Sequence, residues 1–161
     1  KLNEYLCIHI ENQFEAGADT VQIFDSWAGL IPKEELSSYC YKPNSKIVEF
    51  CKKIGLPVIC FPKGIGRNYK EFLDSVKPDG LNIDYDVDPL WARDNLDNVC
   101  LQGGMDPKIL FEDEKKIFLE VDKYLNTFKN SPYIFNLGHG LLPETNPDVL
   151  DRVIKRVNSF K

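Results

Sequence analysis

Five short apolar runs, each separated from the next by a stretch with helical periodicity, constrain the fold of this chain more than any other feature. Each run has about five β-branched, aromatic or aliphatic residues, which is the length of a buried strand rather than of a helix. Their near-continuous hydrophobic character is typical of parallel strands covered on both faces. The runs are 19–26, 56–63, 79–86, 99–106 and 132–139.

Amphipathic helices are predicted between these runs. Residues 2–16 and the stretch after Asp113 repeat apolar side chains at helical spacing. The last helix is the most clearly marked, since Asn146 can cap it and Pro147 suits its first turn. The apolar faces expected for the three helices are Leu2, Leu6, Ile10 and Phe14; Ile117, Val121, Leu125 and Phe128; and Leu150, Val153, Ile154 and Val157.

Alternation of this kind predicts a parallel sheet with right-handed crossovers. Either an open doubly wound sheet or part of a (β/α)8 barrel fits the pattern. No low-complexity segment or linker divides the chain, so one structural unit, or one piece of a unit, is expected.

Composition excludes several classes of function. The net charge of −5 gives no basic field that would collect nucleic acid or anionic lipid. The first residues lack the features of a secretory signal, and no apolar stretch approaches the ~20 residues of a membrane helix. The five cysteines form no CxxC pair, which argues against a disulfide framework and a zinc ribbon. We therefore expect a cytoplasmic protein with no membrane or nucleic-acid partner.

Polar residues follow each predicted strand. Ligands of α/β proteins bind at the carboxyl ends of the strands, so this is the candidate site. For Asp86 and Asp106, capping of the next helix is the competing interpretation. The residues are Asp25 and Ser26; Lys63; Asp84 and Asp86; Gln102 and Asp106; and Asn136 and His139.

His139 stands between Gly138 and Gly140, where no bulky neighbour prevents backbone or ligand from coming close. A ligand-binding role and a simple turn residue are both open on this pattern, whereas His9 is expected to be an ordinary helix histidine. Asp84 and Asp86 would form an acid–base pair only if the strand continued past Tyr85, and a bend there is the alternative. Gly64 and Gly66 lack the third glycine of a dinucleotide fingerprint and predict a turn.

Four motifs, in this order, resemble the C-terminal part of the uroporphyrinogen decarboxylase family. They are QIFDSWAG at 22–29, LNIDYDVDP at 81–89, LQGGMDP at 101–107 and NLGHGLLPETNPDVL at 136–150. The resemblance implies a (β/α)8 barrel of which residues 1–161 supply about the last five β/α units, with three N-terminal units absent. It also implies cofactor-free decarboxylation of the four acetate side chains of uroporphyrinogen III to give coproporphyrinogen III.

The same resemblance implies roles for particular residues. Ser26 and His139 match the family's substrate-binding positions, and both side chains can donate a hydrogen bond to a carboxylate. Phe24, Gly103 and Gly104 would line the same cleft, although the family commonly has Asn where this chain has Gly104.

The family's active-site arginine, aspartate and tyrosine precede the segment present here, so no catalytic residue is expected in this chain and the chain alone is expected to be inactive. No metal or cofactor is implied, and the full-length protein is expected to be a homodimer. Two alternatives remain. A zinc- and corrinoid-dependent methyltransferase of the same superfamily would need a His-x-Cys pair that Leu141 breaks, and a non-catalytic α/β module would make His139 a turn residue.

Overall fold

All five predicted strands form, each inside its apolar run, and among residues 1–160 they alternate with six α-helices. The computed structural model describes residues 1–160. The strands are β1 (Val21–Asp25), β2 (Val58–Pro62), β3 (Gly80–Ile83), β4 (Cys100–Gly103) and β5 (Tyr133–Ile134). The helices are α1 (Leu2–Glu15), α2 (Lys42–Ile54), α3 (Tyr69–Val76), α4 (Pro89–Asn95), α5 (Glu114–Thr127) and α6 (Pro147–Ser159). The α/β class predicted from the sequence is confirmed.

The chain divides into two compact units, the first Lys1–Asn82 and the second beginning at Ile83. In the first unit β1 and β2 are parallel, with Val21 opposite Val58 and Asp25 opposite Pro62. β2 in turn pairs in parallel with β3. The core of this unit is built from fully buried side chains on these strands and on α2 and α3, namely Val48, Cys51, Val58, Cys60, Tyr69 and Phe72.

In the second unit β4 and β5 are parallel, and a bridge between Met105 and Leu137 prolongs their pairing. Helices α5 and α6 are joined by Arg156, whose guanidinium donates to both carboxylate oxygens of Asp122 at 2.8 and 2.5 Å. Leu101, Met105, Val121 and Phe128 are among the buried core residues.

Two helical faces differ from their prediction. On α1 only Ile10 of the predicted stripe is buried, Leu6 is half-buried, and Leu2 and Phe14 are exposed. On α6 Val153 is buried as predicted and Val149 is buried as well, but Ile154 is 55% exposed.

The exposure of Ile154 has a structural reason. The outer part of the α6 face lines an open groove of about 360 Å³ between the helix and the segment after β5. Its walls are almost entirely apolar, and they include Leu110, Phe135, Leu137, Leu141, Leu150, Ile154 and Val157. The periodicity of α6 identified an apolar face correctly, but no described side chain fills the space beside it.

Within residues 1–160, every helix is too short or too polar to cross a bilayer.

Candidate functional site

Ser26 lies directly after β1, at the carboxyl end of the strand, and its side chain is exposed to solvent. Phe24, two residues earlier, is 66% exposed and meets Phe61 of β2 edge to face, with ring centroids 6.1 Å apart. An exposed phenylalanine in the middle of a strand leaves an apolar surface beside the Ser26 hydroxyl. This part of the first unit can therefore offer a ligand both a hydrogen-bond donor and an apolar contact.

Asp25 lies beside Ser26, and a buried network holds its carboxylate. The amide of Asn44 on α2 donates to Asp25 Oδ2 at 3.3 Å and to the Cys40 carbonyl at 2.9 Å. Asn44 is only 5% exposed; its bond to Cys40 is buried, and its bond to the half-buried Asp25 is partly buried. Burial and the nearby Asp25 carboxylate raise the pKa of the Cys40 thiol far above its usual value, which keeps the thiol protonated at neutral pH.

The loops after β1 and β2 contact each other through glycine backbones. A Cβ on Gly29 would lie 2.7 Å from the Gly64 carbonyl oxygen, so any other residue at 29 would collide with backbone. Gly29 N donates to Lys63 O at 2.9 Å, and Lys63 N donates to Asp25 O at 3.1 Å. Gly64 has φ +83° and Gly66 has φ +56°, which confirms the predicted turn. The position of Ser26 thus depends on a neighbouring loop that the sequence pattern did not reveal.

In the second unit, His139 is exposed, and its two flanking glycines have different surroundings. A Cβ on Gly138 would lie 2.4 Å from the backbone nitrogen of Tyr85, whereas a Cβ on Gly140 would have no neighbour within 4 Å. Gly138 packs against the chain's own backbone, and this contact explains the glycine there without a ligand.

The Tyr85 ring lies beside the His139 imidazole, with centroids 6.5 Å apart and planes inclined by 51°. Sequence reasoning considered Tyr85 only as the site of a bend, and no local signal connects it with a histidine so much later in the chain.

Gly103 and Gly104 have positive φ values of +80° and +102°. Their carbonyl oxygens accept hydrogen bonds from the phenols of Tyr133 and Tyr124, at 2.7 and 2.6 Å. Burial raises the pKa of both phenols far above the usual range, so they remain donors. A Cβ on Gly104 would lie 2.8 Å from the Tyr124 ring, so glycine fits this position closely. Lining of a ligand cleft by these two glycines stays a prediction.

The aspartates after β3 and β4 have local structural roles. β3 ends at Ile83, and the buried Asp84 carboxylate accepts a hydrogen bond from Asp86 N at 3.1 Å. Of the two alternatives that the sequence left open, the chain therefore adopts the bend. Asp106 accepts from Lys108 N at 2.9 Å and caps the next helical turn, as predicted. Asp86 is not the cap of α4; Asp88 takes that place and accepts from Trp91 N at 2.8 Å.

In the part of the chain that the structure describes, residues 1–160, no three His, Cys, Asp or Glu side chains are placed to hold a metal ion. Ser26 belongs to the first unit and His139 to the second. The binding of one ligand by both side chains therefore remains a prediction.

Parallel strands alternating with helices, with polar side chains at the strand carboxyl ends, define an α/β protein of the kind that binds ligands at that end of its strands. Comparison with known sequences identifies the family. The sequence model of the uroporphyrinogen decarboxylase (URO-D) family matches residues 1–160. The chain belongs to this family.

Curated relatives of this chain are named uroporphyrinogen decarboxylase. The uroporphyrinogen decarboxylase of Orientia tsutsugamushi (strain Ikeda) is 42% identical over 163 residues, covering 99% of this chain and 47% of the relative. That of Rhodospirillum rubrum is 39% identical, covering 91% of this chain and 43% of the relative. That of a Wolbachia strain from Drosophila simulans is 33% identical, covering 99% and 48%.

The chain thus spans about half the length of the curated relatives that it matches. The family fold is a (β/α)8 barrel, and the parallel strands and helices seen here fit part of such a barrel. Neither the methyltransferase nor the non-catalytic alternative is favoured by these matches.

Proposed function

We propose that the protein containing this chain is a uroporphyrinogen decarboxylase. It removes the carboxyl groups of the four acetate side chains of uroporphyrinogen III as carbon dioxide and leaves methyl groups, giving coproporphyrinogen III in porphyrin and haem biosynthesis. The observation that carries the proposal is the family match over residues 1–160. The names of the relatives support it.

In this proposal the residues of this chain bind substrate. The Ser26 hydroxyl and the His139 imidazole each donate a hydrogen bond to a substrate carboxylate, and charge on the acceptor makes such bonds strong. The exposure of both side chains supports this role, because a ligand can reach them. Phe24, which is 66% exposed, provides apolar surface for the macrocycle beside Ser26.

The chemistry needs no cofactor. Protonation of a pyrrole next to the acetate creates an electron sink, which accepts the electron pair released when the carbon–carbon bond to the carboxylate breaks. A proton then replaces the lost carbon dioxide, and the pyrrole returns its added proton. The protein's contribution is to hold the substrate and to stabilise the developing charge.

We further propose that this chain alone does not decarboxylate. It spans about half of its relatives, 47% of the Orientia tsutsugamushi protein. The resemblance implies that the arginine, aspartate and tyrosine of the active site belong to the other half. Homodimerisation and a cytoplasmic location belong to the same proposal, and the five free cysteines support a reducing compartment.

The test uses anaerobic uroporphyrinogen III and follows its carboxyl groups by chromatography of the oxidised products. The full-length protein should give coproporphyrinogen, and the 161-residue chain should give none. His139→Ala and Ser26→Ala should each raise KM roughly tenfold or more, since each removes the donor of a hydrogen bond to a charged group.

The matched control is His9→Ala, which changes an exposed helix histidine and should leave KM as it is. A full-length protein that leaves uroporphyrinogen intact would refute the activity. Unchanged KM values in both site variants would refute the assigned roles.

A further inference from the structure

The turn that follows β3 is held rigidly by its own polar groups. Asp84, only 1% exposed, accepts from Asp86 N through its side chain at 3.1 Å, and its backbone carbonyl accepts from Val87 N at 3.3 Å. The cap of α4, Asp88, secures the end of the turn through Trp91 N. Tyr85 therefore projects from a backbone whose conformation is determined on both sides.

The segment before His139 rests on this turn. Gly138 lies so close that an added Cβ would be 2.4 Å from Tyr85 N and 2.8 Å from the Asp84 carbonyl carbon. On its other side Gly138 N donates to Met105 O at 2.8 Å, beside the bridge between Met105 and Leu137. The backbone on the N-terminal side of His139 is thus confined, while Gly140 beyond it has no neighbour within 4 Å of its would-be Cβ.

The half-buried ring of Tyr85 is an aromatic neighbour of the imidazole, with ring centroids 6.5 Å apart. Among residues 1–160 no side-chain or backbone group forms a hydrogen bond with this imidazole, so both ring nitrogens are open to a ligand. The second side-chain torsion of histidine has a broad energy profile, and an isolated exposed imidazole samples many orientations. A neighbouring half-buried ring on a fixed backbone, as Tyr85 is, restricts that range through tilted aromatic contact.

We propose that Tyr85 is a positioning residue for substrate binding: its ring orients the His139 imidazole toward the ligand. This proposal rests on the proposed role of His139 as a donor to a substrate carboxylate. The part of Tyr85 that acts is the ring and not the hydroxyl, because the observed contact is between the two rings.

The first experiment measures the arrangement without any ligand. In the full-length protein labelled at histidine Cε1, the resonance lost in His139→Gln is assigned to His139. The Tyr85 ring current should shift this resonance, so Tyr85→Leu should move it and Tyr85→Phe should leave it close to its original position. No movement in Tyr85→Leu would show that the rings are not in contact and would overturn the proposal.

The second experiment measures the effect on substrate, using uroporphyrinogen III and the same variants. Tyr85→Leu should raise KM roughly tenfold with little change in kcat, because a misplaced binding group weakens capture of the substrate. Tyr85→Phe should restore the original KM. A Tyr85→Phe variant as impaired as Tyr85→Leu would overturn the ring's role and assign the effect to the hydroxyl.

Failure of this proposal can be told from failure of the proposed function. If His139→Ala raises KM and Tyr85→Leu does not, only the positioning role is wrong. If His139→Ala leaves KM unchanged, the proposed binding role of the histidine is wrong, and the positioning role with it. His9→Ala, at the exposed helix histidine, is the control for both measurements.

Discussion

Gly138 and Gly140 flank the same histidine, yet only Gly138 has a neighbour that requires glycine. The atom nearest to a Cβ on Gly138 is a backbone nitrogen, at 2.4 Å, which cannot rotate away as a flexible side chain would. The corresponding space at Gly140 is open, and its φ is not in the left-handed region. Two positions that look equivalent in the sequence are thus different in the fold.

Gly138→Ala should destabilise the full-length protein by about 1–3 kcal/mol, because the backbone must shift to admit the methyl group. The shift also displaces His139, so KM for uroporphyrinogen should rise. Gly140→Ala is the matched control for stability and should leave the free energy of unfolding unchanged, because a Cβ there has no neighbour within 4 Å. Denaturant titration and steady-state kinetics measure the two effects, and equal behaviour of the two variants would contradict the packing described for Gly138.

Asn44 is a second residue whose contribution to stability depends on its burial. Asn44→Ala removes a buried donor from both Asp25 and the Cys40 carbonyl and should cost about 1–3 kcal/mol of stability. Asn126→Ala is a close control, since Asn126 makes the same kind of bond to a carbonyl four residues earlier but on an exposed surface. A denaturation midpoint lowered equally in both variants would show that burial of Asn44 does not matter.

The ends of buried strands can be recognised from composition, which made Ser26 and His139 two of several candidate residues. The family resemblance then selected these two as substrate-binding positions. The sequence did not indicate Asn44, Tyr85 or Gly29. Each of these residues contacts a partner far away in the sequence; Asn44 and Asp25, for example, are 19 positions apart. Contacts of this kind arise when loops and helices are brought together by the sheet, and no local pattern encodes them.

At the scale of elements, helix starts were the most predictable features. The side chain of Asn146 accepts from Asp148 N at 2.9 Å, and Pro147 occupies the first turn of α6. Asp113 caps α5 in the same way, accepting from Lys116 N at 3.0 Å. Such caps are interactions between near neighbours, so the sequence alone specifies them. The buried face of a helix depends on what lies opposite, which is why Ile154 was assigned wrongly.

Asn146→Ala should therefore lower the stability of the full-length protein by about 1 kcal/mol, since it leaves an amide of the first turn of α6 without its acceptor. Asn146→Asp keeps an oxygen in the same place and should retain most of the stability. The denaturant midpoint of each variant measures the difference. Equal losses in the two variants would mean that the side-chain oxygen of residue 146 contributes nothing.

At the scale of the whole chain, apolar surface remains open on each unit when it is considered by itself. In the first unit Leu2, Tyr5 and Ile8 of α1 are 55% exposed or more. In the second unit the groove beside α6 has walls that are almost entirely apolar. Contiguous exposed apolar surface of this kind promotes association of proteins in water.

We expect the isolated 161-residue chain to associate as its concentration rises, which sedimentation velocity can measure. Ile154→Lys places a charge in the groove and should reduce this association. The control is Leu119→Lys on α5. Leu119 is 61% exposed, similar to the 55% of Ile154, but it lies outside the groove lining. Equal effects of the two substitutions would mean that the groove is not a preferred contact.

The approach of Gly29 to Gly64 has a consequence for how the protein can change over evolution. No side chain separates the two loops, so a longer or bulkier segment after β1 is compatible with the fold only if the segment after β2 changes shape as well. Variation in one loop therefore requires compensating variation in the other. A redesign of the surroundings of Ser26 must therefore change the two segments together.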